Sequence, residues 1–95
     1  MNMHTMFGSG LYDAHNRRIA VVRGEDIYDG DNRRVATIRG KYLFDSDNRK
    51  MMTLRGSNIY DAGNKLVGSI LDVQKSIKDG GTGMLAVALW YCFVR

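Results

Sequence analysis

Gly24-Glu25-Asp26-Ile27-Tyr28-Asp29-Gly30-Asp31-Asn32-Arg33-Arg34-Val35-Ala36-Thr37-Ile38-Arg39 is one unit of a repeat with a period of 16 residues, whose four copies start at Gly8, Gly24, Gly40 and Gly56. Each copy places an aliphatic residue and an aromatic before an aspartate: Leu11-Tyr12-Asp13, Ile27-Tyr28-Asp29, Leu43-Phe44-Asp45 and Ile59-Tyr60-Asp61. Each then carries asparagine and a base: Asn16-Arg17, Asn32-Arg33, Asn48-Arg49 and Asn64-Lys65. A period this short excludes the common helical repeats. β-Branched and aromatic residues bounded by turn formers read as a β-hairpin.

Two turns belong to each unit. Gly24-Glu25, Gly40-Lys41 and Gly56-Ser57 suit a two-residue type II′ turn, because glycine accepts positive φ at the first central position. The Asp-X-X-Asn stretch is the second turn. Its aspartate can accept bonds from backbone N–H groups ahead of it, and asparagine tolerates the left-handed region. Asparagine in place of glycine in all four copies suggests a side-chain bond as well. Side-chain parity favours a four-residue loop, Asp29 to Asn32, since a one-residue slip would turn the aliphatic face outward. The expected inner face holds Leu11, Ile27, Leu43 and Ile59, with Val22, Ile38, Leu54 and Ile70, and the smaller Ala20, Ala36 and Gly68 beside Met52. The expected outer face carries Tyr12, Tyr28, Phe44 and Tyr60, Ile19, Val35, Met51 and Val67, then Val21, Thr37, Thr53 and Ser69, and ends in Arg23, Arg39 and Arg55. Arginine stems laid over the tyrosines would explain its half-apolar character.

The chain closes on Met84-Leu85-Ala86-Val87-Ala88-Leu89-Trp90-Tyr91-Cys92-Phe93-Val94, eleven apolar residues followed by Arg95. A bilayer span takes about 20 helical residues, so this segment is expected to be buried in the protein's own core. As a helix apolar on all sides it should be buried on all sides; a buried central strand is the alternative. Leu71 to Gly83 lies between, with Val73 and Ile77 spaced for a helical turn or a last strand, and a bend at Gly80-Gly81-Thr82-Gly83.

The expectation is one mainly β domain over 1–95. It divides into an extension at 1–7, four hairpin repeats at 8–71 around a pseudo-four-fold axis, a linker at 72–83, and the buried segment at 84–95 filling the centre of a small barrel or flower. The repeated I-Y-D-x-x-N-R unit with the apolar, aromatic-ended tail resembles the bacterial β-flower proteins, the four-fold kind more closely than the five-fold. The resemblance runs from about Gly8 to Val94. It implies hairpin petals around an axis, and it implies no activity.

Catalysis is not expected. His4 and His15 are the only histidines, and neither has the neighbouring groups a nucleophile–base pair needs. Asp13, Asp29, Asp45 and Asp61 recur where turn geometry alone would put them. No cofactor or metal is expected, since no Cys/His cluster exists, the Asp29 and Asp45 stretches lack the length and closing glutamate of a calcium loop, and the glycine bend lacks the phosphate-loop ending. Cys92 is expected to be a buried, inert thiol. The start of the chain has no charged stretch followed by an apolar run, so no signal peptide is expected, and the cytoplasm is the expected compartment. A membrane partner is not expected.

The net charge is +4 with acids and bases interspersed. Arg17, Arg18, Arg33, Arg34, Arg49, Lys50 and Lys65 follow the same turn in each copy, so they should gather at one end as a candidate polyanion-binding ring. The alternative is that each base pairs with a turn carboxylate. The expected function is a non-catalytic structural or protein-interaction module, self-associating or binding another protein, with nucleic acid or another polyanion as the second reading.

Overall fold

In the computed structural model, residues 3–81 and 83–95 are described. Residues 1–2 of the expected extension and Thr82 of the glycine bend lie outside the described residues. The chain forms β1 (His4–Phe7), β2 (Gly10–Tyr12), β3 (Arg18–Arg23), β4 (Asp26–Asp29), β5 (Arg34–Arg39), β6 (Tyr42–Asp45), β7 (Lys50–Arg55), β8 (Asn58–Asp61) and β9 (Leu66–Ser69). Helix α1 (Ile70–Ser76), β10 (Ile77–Lys78), helix α2 (Met84–Leu89) and a π turn (Trp90–Val94) complete it. The fold is mainly β.

One sheet runs in the order β10-β1-β2-β3-β4-β5-β6-β7-β8-β9. Every neighbouring pair from β1 to β9 is antiparallel, and β10 joins β1 in parallel. The two end strands, β9 and β10, are consecutive in the chain and are joined by α1. The expected extension is therefore mostly a strand, with Phe7 pairing Gly10 across a fourth glycine turn, Gly8-Ser9. The expected linker is also structured. Ser69 and Asp72 form a capping box that starts α1, and α1 buries Val73. Ile77 leaves the helix in extended conformation and pairs with His4.

Gly8, Gly24, Gly40 and Gly56 have φ between 60° and 63°, while the residue after each does not have positive φ. That is the type II′ pattern. The Asp turns differ from the expected loop. Asn32 N–H donates to Asp29 O at 3.0 Å, and Asp29 N–H donates to Arg33 O at 2.9 Å. Only Gly30, Asp31 and Asn32 lie between the paired residues. A three-residue loop alone would turn Ile27 to the wrong face. The register then slips between Ile27 and Tyr28: Tyr28 pairs with Arg34 but Ile27 with Ala36. Val35 is thus a bulge residue, and the bulge restores the parity that the short loop reverses. The same slip occurs at Leu11/Tyr12, Leu43/Phe44 and Ile59/Tyr60.

The expected inner face is buried: Leu11, Ile27, Leu43, Ile59, Ala20, Ala36 and Met52 are all fully inaccessible. Ile38 and Ile70 are only partly so. The bulge residues Ile19, Val35, Met51 and Val67, expected outside, are half-buried and pack against the core. A bulge bends its strand and re-aims the extra side chain.

The apolar tail is a helix, not a strand. Ala86 to Leu89 are buried with the inward residues of β2 to β8 in one cluster. The last turn widens, with Arg95 N–H donating to Trp90 O at 3.0 Å, a five-residue step. Tyr91 donates its hydroxyl to the carbonyl of the bulge residue Met51 at 3.3 Å. No described helix is long and apolar enough to cross a membrane.

Candidate functional site

In an antiparallel meander alternate turns fall at opposite ends of the sheet. The four Asp-X-X-Asn turns therefore share one end and the glycine turns the other. In each Asp turn a single carboxylate oxygen fastens the loop. Asp29 Oδ1 accepts from Asp31 N–H at 2.9 Å and from Arg33 N–H at 3.0 Å. Asp13, Asp45 and Asp61 repeat both bonds at 2.9 Å. One oxygen of each turn aspartate is thus taken up as a structural acceptor. The Arg17 N–H above all, then the His15 N–H and the Arg17 guanidinium, holds the Asp13 carboxyl below its ordinary value. Asn16, Asn32, Asn48 and Asn64 follow with φ of 63–67°.

All seven expected polyanion-binding residues are exposed at this end. Arg17 lies 3.4 Å from Asp13 and Arg34 lies 3.9 Å from Asp26. Lys50 stands over the Tyr42 ring, 5.1 Å from its centroid. Among the described residues, Arg18, Arg33, Arg49 and Lys65 make no ion pair. Pairing of every base with a turn carboxylate is therefore not observed: it occurs at Arg17 alone.

The outer aromatics form the second candidate surface. Arg23, Arg39 and Arg55 place their guanidinium carbons over Tyr28, Phe44 and Tyr60, each 4.8 Å from the ring centroid. Arg55 continues across Tyr60 and donates from Nη2 to Asn64 Oδ1 at 2.8 Å. The side-chain bond expected at the asparagine of all four copies is thus met at Asn64, while among the described residues Asn16, Asn32 and Asn48 make none. Tyr12 differs from the other three. Phe7 occupies the position of these arginines in the period of 16, and its ring meets Tyr12 edge-on at 6.5 Å. Thr5, Phe7, Tyr12 and Asn16 line an open hollow of about 420 Å³. A second open hollow, of about 320 Å³, lies by Met3, Gln74, Ile77 and Gly80. The repeat pattern does not single out Phe7 as a site residue; its signal in the sequence is an apolar residue where the other copies have arginine.

His4 is in β1 with Nδ1 buried and without a hydrogen-bond partner among the described residues, and His15 is exposed in its turn. Among the described residues no three His, Cys, Asp or Glu side chains are grouped to hold a metal ion. Cys92, expected to be buried, is half-buried, and the desolvation that remains pushes its thiol up to about 11. Comparison with family models, with curated proteins and with solved structures returns no match to this chain.

Proposed function

We propose that this chain is a non-catalytic structural or protein-interaction module of the β-flower kind, acting in the cytoplasm. In this reading four hairpin repeats surround a pseudo-four-fold axis and the C-terminal helix lies along it. The sequence period, the recurring turn bonds and the buried tail support that arrangement.

The observation that carries the interaction reading lies at the end of the sheet. Among the described residues strand β9 pairs only with β8, and its first residue, Leu66, is 62% exposed. The repeat places Arg18, Arg34 and Lys50 at that position in the other copies. Leu71, the second residue of α1, is 65% exposed. An end strand with an unpaired edge flanked by exposed leucines suits pairing with another chain. Sedimentation over a range of concentrations tests self-association, and capture by the tagged chain tests other partners. Leu66→Lys should abolish either. A strict monomer that captures nothing counts against the reading.

A second reading rests on Arg33, Arg49 and Lys65, which share one end of the sheet and make no ion pair among the described residues. There the module binds a polyanion. Retention on heparin at low salt, lost in the Arg33→Ala/Arg49→Ala double variant, supports it; passage without retention sinks it. Each phosphate contact removed should lower the slope of the salt dependence by about one.

A further inference from the structure

Three of the four copies complete their outer aromatic in the same way. An arginine from the preceding strand end lies over the ring at 4.8 Å. In the fourth copy that guanidinium also bonds the amide oxygen of the left-handed asparagine, Arg55 to Asn64 at 2.8 Å. The first copy keeps the receiving parts of this arrangement. Tyr12 stands where Tyr60 does, and Asn16 has φ 63° against 67° at Asn64. Thr5 pairs with Tyr12 as Thr53 pairs with Tyr60. What changes is the residue that supplies the cation. At that position the chain has Phe7, 76% exposed, and Phe7 becomes one wall of a hollow with Thr5, Tyr12 and Asn16.

We propose that this hollow binds an arginine side chain from outside the chain's own fold, its guanidinium over the Tyr12 ring and bonded to Asn16 Oδ1. The planar guanidinium is favoured over an ammonium because it stacks on an aromatic face and offers donors in its own plane to an amide oxygen. Phe7 adds a second aromatic wall that the other three copies lack. Arg17 follows Asn16 in the chain and is held by Asp13 at 3.4 Å, and the Arg18 stem lies, like the Tyr12 ring, beside Gly10. One stacked, hydrogen-bonded side chain beside those charges corresponds to a dissociation constant in the millimolar range. The inference rests on the protein-interaction reading for its setting, and it names the chemistry of the partner.

The test is a titration of the full chain with N-acetyl-L-arginine amide, following the Tyr12 ring protons by NMR, with N-acetyl-L-lysine amide as the control. Saturable shifts with the arginine compound, at least severalfold weaker with the lysine compound, are expected. Phe7→Arg should abolish the response, because the chain then supplies its own guanidinium, and should raise Tm. Asn16→Gly keeps the backbone conformation and should weaken binding severalfold. Ring shifts that grow with protein concentration alone, and vanish in Phe7→Arg, assign the arginine to a second copy. Shifts that require the added compound assign it to a separate ligand. Equal responses to the arginine and lysine compounds, no response to either, or an undiminished response in Phe7→Arg overturn the proposal. Leu66→Lys, which disables the association proposed at β9, should leave this titration unchanged, so the two readings can fail separately.

Discussion

The indole of Trp90 stands where a side chain at Gly68 would stand. A Cβ built on Gly68 falls 2.5 Å from Trp90 Cη2 and 3.2 Å from Cζ2. The repeat places Ala20, Ala36 and Met52 at the corresponding positions, all fully buried. The copies therefore differ at this inward position where the tail approaches the sheet, and the largest tail residue faces the smallest repeat residue.

Gly68→Ala should cost about 1–3 kcal/mol through overpacking, seen as a drop in Tm of roughly 4–8 °C per kcal/mol for a domain of this size. Trp90→Phe alone should also destabilise, by leaving a cavity. In the double variant the two losses should not add, with a coupling of about 0.5–3 kcal/mol by thermal or denaturant unfolding. Strict additivity would show that the two residues do not press on each other.

Asn48 is held at φ 67°. Asn48→Gly should be nearly neutral, because glycine adopts positive φ freely. Asn48→Val should cost upwards of about 1–2 kcal/mol, because a β-branched residue does not adopt that region without strain. Urea unfolding of the two variants checks the order; equal stabilities would contradict the turn geometry.

Arg39 over Phe44 is a cation–π pair at the surface, for which about 0.5–1 kcal/mol is the expected worth. Arg39→Met keeps much of the apolar stem and removes the charge, so it isolates that contribution. Arg39→Ala removes the stem as well and should cost more. High salt should affect the pair little, since the guanidinium meets a ring and not an ion.

Cys92 should resist alkylation. Its thiol is raised to about 11 by burial, an effect that the Arg95 charge only partly offsets. A thiol so much less acidic than usual holds about a hundredfold less thiolate than an ordinary cysteine at the same pH, before access is considered. A group whose folded pKa is raised lends stability that is complete below its unfolded value and is lost as pH rises through the folded one. Unfolding should therefore become easier between about pH 9 and pH 11, and Cys92→Ala should flatten part of that fall. Iodoacetamide kinetics in the native state read the first effect, and thermal melts across this range the second.

Removing Met84 to Val94 should abolish folding. Ala86 to Leu89 are at most 1% exposed and share one core with Leu11, Ile27, Leu43 and Ile59. Circular dichroism of the truncated chain should show no cooperative melt; a folded, soluble truncation would mean that the strands hold a core without the tail.

Much of this arrangement could be read from the chain itself. A period of 16 residues with aspartate and asparagine in register names both turns, because their backbone demands are local: glycine and asparagine at positive φ, and a carboxylate within reach of two N–H groups. The alternation of Leu43 with Phe44 and of Ala36 with Thr37 marks which side faces inward, although Thr53, expected on the outer face, is buried. That the tail packs into the core follows from its composition of eleven apolar residues, although only Ala86 to Trp90 are buried and the residues on either side are half-buried.

Other features required the tertiary structure. The loop is one residue shorter than parity suggested, and a bulge makes up the difference. Two slips that cancel leave the same faces, so the hydrophobic pattern cannot tell them from none. His4 to Phe7 and Ile77-Lys78 carry little strand signal of their own; they form β1 and β10 by pairing with each other and with β2, an interaction between residues more than 70 positions apart. The outer aromatics are matched to Arg23, Arg39 and Arg55 by the twist and register of neighbouring strands, which also bring Thr5, Phe7, Tyr12 and Asn16 together. The tail could have been helix or strand by its apolar content alone. Its helical form satisfies its own backbone groups without a strand partner. The sequence by itself determined where the turns fall, which face points inward and that the apolar tail must find cover. The tertiary structure decided what those residues meet, down to the glycine at 68 that makes room for Trp90, because contact across the core depends on register and shape as well as on hydrophobicity.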